Sequence, residues 1–104
     1  MARKRSTKST HDTKVRKLAT ELKANGWKVQ ADISGFDTPD GIGQSRFIPD
    51  ISASKGSHTK IIEVDTPNSV NTEQLSSFRR SATHRKNTSF EHIITTPRRK
   101  TKRV

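Results

Sequence analysis

The chain has no cysteine and no tyrosine, and its 104 residues include only one tryptophan, one methionine and four phenylalanines. The lack of cysteine excludes a disulfide framework, a thiolate zinc site and a cysteine nucleophile. Aromatic side chains are too sparse to interleave with the basic ones, so stacking on single-stranded bases is poorly supported. Hydrophobic residues make up 27% of the sequence, enough for one domain with a thin core that dimerisation would enlarge. No apolar run approaches the roughly 20 residues of a membrane span. The basic N-terminus is followed by no apolar stretch, so it does not read as a secretory signal, and the protein is expected in the cytoplasm without a membrane partner. There is no phosphate-binding loop, zinc motif or nucleophile elbow. The four histidines, His11, His58, His84 and His92, show no metal-ligand spacing to one another.

What the chain has in excess is positive charge, +11 in formal terms. Arg3, Lys4, Arg5 and Lys8 contribute +4 within residues 1–10, and Arg98, Arg99, Lys100, Lys102 and Arg103 contribute +5 within 97–104, leaving +2 for the middle. Two basic tails, read as disordered over 1–9 and 97–104, therefore flank a near-neutral domain over 10–96. Such tails suit a polyanion held through salt-dependent phosphate contacts. The plainer alternative is a pair of solubilising ends. Arg79, Arg80, Arg85 and Lys86 form a further basic group on or after a predicted helix, and Arg79 and Lys86, seven apart, are placed on one face to follow a phosphate backbone.

Along the domain, Ser9-x-x-Asp12 resembles a capping box that opens a helix. Val15, Leu18, Ala19 and Leu22 then form an apolar stripe, and Asn25-Gly26 ends it. Trp27–Ile33 alternates as a strand with Trp27, Val29, Ala31 and Ile33 on one side. Ser34–Ser45 holds three of the five glycines and reads as a long loop, either close to a DNA site or a flexible surface connection. A hairpin is expected over 46–65. Asn71 with Gln74 caps a helix over 72–85 that buries Leu75, Phe78 and Ala82. Ser89–Thr95 is a last strand, ended by Pro97. The order is α-β-β-β-α-β, an α/β fold with a mixed sheet.

The hairpin organises the rest. A type II′ turn at Gly56-Ser57 sets a register in which opposite residues sum to 113. Ile51, Ala53, Ile62 and Val64 then share a core-forming face, while Asp50, Glu63 and Asp65 share the other. Opposed carboxylates with Cβ atoms roughly 5 Å apart repel by about 3 kcal/mol at an effective dielectric of 20. Either one takes up a proton or a hard cation sits between them. A solvated polar hairpin face is the plainer alternative.

Pro49-Asp50, followed after twelve intervening residues by Glu63-Val64-Asp65, resembles the bipartite signature of the PD-(D/E)xK nuclease superfamily. The order of elements is similar to that family's minimal restriction-endonuclease-like core, and the chain's size to the compact Holliday-junction resolvases. The resemblance implies Mg²⁺ or Mn²⁺ held by Asp50, Glu63 and the Val64 carbonyl. It implies a metal-activated water that hydrolyses DNA phosphodiesters, as a Mg²⁺-dependent deoxyribonuclease does. Asp65 stands where the family has lysine. As a third carboxylate it would help hold a second metal; equally, it would mark a domain that kept the fold and lost turnover. Lys60 and Lys86 are the candidates for a lysine supplied from elsewhere. Gln74-x-x-x-Phe78 is similar to a Q-x-x-x-Y element of the lambda-exonuclease branch, which makes Gln74 a catalytic candidate and leaves Phe78 in the core. Asp12 and Glu21 are the first-helix acids to consider, although a capping or solvated role suits both better. The expectation is a metal-dependent endonuclease acting on branched or double-stranded DNA, in which two copies would cut two strands. The rival is a non-catalytic basic nucleic-acid-binding protein on the same scaffold.

Overall fold

A computed structural model describes residues 2–43, 46–67 and 70–95, with residues 2–9 described in backbone only. Helix α1 spans Ala2–Ala24, so the basic segment expected to be disordered is helical from Ala2 and Ser9-x-x-Asp12 does not open the helix. The reason is propagation. Residues 2–8 contain no glycine or proline, and extending an existing helix needs no new nucleus. Val15 and Ala19 are fully buried, with Leu18 and Leu22 packed beside them. At the other end Gly26 takes φ +91°, a conformation open to a residue without Cβ. Its N–H reaches the Lys23 carbonyl at 3.1 Å and Trp27 N reaches Leu22 O at 3.1 Å, the paired bonds of a Schellman cap.

Four strands follow: β1 Lys28–Ala31, β2 Ile51–Lys55, β3 His58–Asp65 and, after helix α2 (Thr72–His84), β4 Thr88–Ile94. They lie side by side in the order β1-β2-β3-β4, the first two pairs antiparallel and β3-β4 parallel. The α-β-β-β-α-β order and mixed sheet agree with the sequence reading. The hairpin register does too: Ile51 opposes Ile62 and Lys55 opposes His58, about a turn where Gly56 has φ +61°. The first strand is shorter than the alternation suggested, because Asp32 and Ile33 leave the sheet into a bend.

The helices cover opposite faces. Ile51, Ala53, Ile62 and Val64 pack with Val15 and Ala19 under α1. Ile61 packs with Phe78 of α2 on the other face, together with Ile42, Phe47 and Phe90. Strand β3 is thus covered on both sides, and residues 61–65 are all buried. A strand so placed normally reads as a continuous apolar run. Here the run is broken at Glu63 and Asp65.

The long segment between β1 and β2 is largely exposed among its described residues but sends Ile42 into the core. Ile42 is 5% exposed, bridges to Phe47 and fills the α2-side core. Asp32 N donates to Asp50 O at 2.9 Å, which ties down the residue just before β2. Helix α2 is capped as expected, with Gln74 N donating to Asn71 Oδ1 at 3.0 Å.

Candidate metal and catalytic site

Asp50, Glu63 and Asp65 are brought together, and all three are buried. The solvated-face alternative is therefore overturned: all three acids are shielded from solvent, and His11 of α1 and His92 of β4 lie against two of them. Asp50 N donates to Glu63 Oε1 at 3.2 Å, as their opposition in the register requires. Asp50 Oδ2 accepts the Val64 N–H at 2.8 Å. Among the described residues Asp50 Oδ1 and Glu63 Oε2 take no hydrogen bond.

Burial, first, and then the charges of Asp50 and Asp65 raise the Glu63 carboxyl from 4.5 to about 8; the Asp50 N–H and His11 oppose this only in part. Repulsion is thus relieved by a proton on Glu63.

The Val64 carbonyl can be placed from the ladder. Thr95 N donates to Asp65 O at 2.8 Å, so residue 65 turns its backbone toward β4 and residue 64 toward β2. In an antiparallel pair a residue's N–H and C=O turn to the same neighbour. Pro49 falls opposite Val64 in that register and has no N–H to offer. The Val64 N–H is taken by the Asp50 side chain, and its carbonyl has no ladder donor. Carboxylate and carbonyl oxygens are the donors Mg²⁺ and Mn²⁺ prefer, so Asp50, Glu63 and the Val64 carbonyl are the residues that would hold such an ion. Among the described residues no group of three or more His, Asp and Glu side chains is arranged to hold a metal ion. Any ion here would rest on the two carboxylates and the backbone oxygen.

Two histidines that the sequence reading passed over are part of the site. His11 Nε2 lies 3.2 Å from Asp50 Oδ2, and its Nδ1 lies 3.0 Å from Asp12 Oδ1. The bond to Asp50 and, after a smaller opposing effect of burial, the bond to Asp12 raise the imidazole from 6.5 to about 9. A doubly protonated ring therefore links Asp12 to the acid cluster. The signal was present in the sequence, since His11 continues the Val15 and Ala19 stripe one turn back. His92 Nε2 lies 2.9 Å from Asp65 Oδ2. That contact depends on the parallel pairing of Glu63 with His92, which no local pattern reports.

The other candidates are placed elsewhere. Asp12 meets His11 rather than the acids, and Glu21 lines an open groove on α1 with Arg16 and Lys17. Gln74 is half-buried, and its side chain makes no hydrogen bond to Asp50, Glu63 or Asp65. Phe78 is 0% exposed, a core residue. Lys60 sits over the Trp27 ring at 5.6 Å, on the α1 side, and Lys86 is exposed in a turn. Helix α2 ends at His84, so Arg79 and Lys86 do not share a helical face; Arg79 lies over Phe90 at 5.6 Å. Arg98, Arg99 and Lys100 lie outside the described residues, as do the side chains of Arg3, Lys4 and Arg5.

No protein-family model, curated protein or solved structure matches the chain.

Proposed function

We propose that the protein is a metal-dependent DNA endonuclease of PD-(D/E)xK type, hydrolysing phosphodiester bonds in double-stranded or branched DNA. The observation that carries this reading is the burial of Asp50 and Glu63 side by side, the Asp50 N–H donating to Glu63 Oε1 at 3.2 Å, next to a Val64 carbonyl that has no ladder donor. A purely structural protein gains nothing from burying two carboxyl groups side by side so that one of them must hold a proton. Asp50, Glu63 and the Val64 carbonyl would hold Mg²⁺ or Mn²⁺, which when bound supplies a water of lowered pKa and charge neutralisation at the phosphate. The chain's own part is to fix the donors: Val64 N–H and His11 hold Asp50 Oδ2, and Asp50 N–H holds Glu63 Oε1, leaving one oxygen of each carboxylate for the ion. The net charge of +11 supplies the attraction for DNA.

One observation favours the second reading, a non-catalytic DNA-binding module. His11, protonated against Asp50, already neutralises part of the acid cluster without a metal.

The deciding experiment incubates linear duplex, single-stranded, flap and four-way-junction DNA with Mg²⁺ or Mn²⁺, beside Asp50→Ala and Glu63→Ala. Metal-dependent cutting lost in both variants is the expected result. Salt-sensitive binding by all three proteins with no cutting would refute the nuclease on these substrates and leave the binding module.

A further inference from the structure

The motif lysine is missing, yet its surroundings are not empty. His92 is the β4 register partner of Glu63. Adjacent strands lie roughly 4.8 Å apart, and paired residues of a parallel ladder project from the same face, so the imidazole stands beside the acid pair. Its Nε2 is 2.9 Å from Asp65 Oδ2. The two side chains are 17% and 8% exposed, so the contact is sheltered while the ring remains reachable by solvent. With Nε2–H donating to Asp65, a neutral ring carries its lone pair on Nδ1. Among the described residues nothing donates to that nitrogen. The aspartate that stands in the lysine's position thus holds an imidazole from the next strand.

Resting on the nuclease reading above, we propose that Asp65 and His92 form a dyad that takes the lysine's place, with His92 directing the attacking water and Asp65 positioning His92. His92 Nδ1 accepts a hydrogen bond from the water. The water oxygen forms its bond to phosphorus as the bond to the leaving oxygen breaks. The water's proton passes to solvent, and the leaving oxygen takes one from solvent, so the products are a phosphomonoester and a hydroxyl. Neither residue is needed to hold the ion, which separates this role from that of Asp50 and Glu63.

The test uses the full chain and the DNA that the parent protein cuts. His92→Ala should lower kcat by about 100-fold, the cost of a misplaced reacting group, with KM and calorimetric Mn²⁺ affinity unchanged. Added imidazole should restore about tenfold, and Asp65→Asn should give a smaller loss of kcat. Nitrogen-15 spectra of the parent protein should show a bare Nδ1 on His92. Parental cutting rates in His92→Ala, loss of Mn²⁺ binding in that variant, absence of imidazole rescue, or a proton on Nδ1 would each overturn the dyad while leaving the nuclease reading standing. A parent protein that cuts none of the DNAs would overturn that reading, and the dyad's role with it.

Discussion

Glu63 and His11 each keep a proton in the fold that the unfolded chain gives up at lower pH. Glu63 moves from 4.5 to about 8 and His11 from 6.5 to about 9. Between those values the folded state binds more protons than the unfolded one, so stability falls as pH rises. The His11 contribution is complete below its unfolded value and disappears as pH passes about 9. Glu63 carries no penalty below its unfolded value and a growing one up to about 8. In chelator-treated protein the melting temperature should therefore fall between about pH 4.5 and pH 9. Glu63→Gln should melt higher than the parent at the alkaline end, because a neutral amide removes the penalty. The paired change His11→Ala with Glu63→Gln should flatten the profile, and a parent profile already flat would contradict the proton assignment. A second expectation concerns Asp50. Asp50→Ala strips the partner from the buried Val64 N–H, which costs about 1–3 kcal/mol and should appear as a lower urea midpoint in metal-free protein. Loss of cutting in that variant should therefore be read beside its melting curve.

The elements differ in how far local pattern determined them. Helix α2 is close to its expectation because its boundaries are chemical: Asn71 caps one end, and Leu75, Phe78 and Ala82 repeat at helical spacing on the buried face. The hairpin register was legible from one glycine, since a two-residue turn leaves a single pairing and a slip would expose the core face. Strand β4 was visible as a strand, but its partner was not, and His92 owes its place beside Glu63 to that pairing. The burial of Ile42 in the segment before β2 was not legible, because glycine content marks where a chain bends and says nothing of where Ile42 lands. Phe78 shows what α2 contributes. Its ring meets Phe47 edge-on at 6.4 Å and Phe90 at 5.8 Å, with no exposure to water. Phe78→Ala should lower stability by about 3–5 kcal/mol in urea unfolding, since the ring's burial disappears and a cavity takes its place. A loss under about 1 kcal/mol would mean that the α2-side core repacks, and would place the stability of the fold with α1.

For the whole molecule, charge and topology act separately. The folded middle contributes +2 of the +11, so polyanion binding should weaken sharply when an end is removed. Deleting residues 97–104, which carry five basic side chains, should reduce DNA affinity. It should also flatten the dependence of log K on log salt by about 0.9 for each phosphate that the shortened chain leaves unneutralised, as read by anisotropy titration. An unchanged slope would place the phosphate-binding groups on the folded domain. What the sequence determined alone was whatever depends on neighbours along the chain: two helices, a hairpin with its register, and from that register the clash of Asp50 with Glu63. These follow from turn chemistry, capping and side-chain alternation, which act within a few residues. The tertiary structure decided which distant groups answer the clash. Residue 11 meets residue 50 because α1 packs across the sheet, and residue 92 meets residue 65 because α2 carries the chain over to a parallel partner. The Val64 carbonyl lies between the two, since it needed both the hairpin register and the direction of the β3–β4 ladder before its lack of a ladder donor could be seen. Pairings across 39 and 27 residues are set by packing of the whole fold, and no local propensity encodes them.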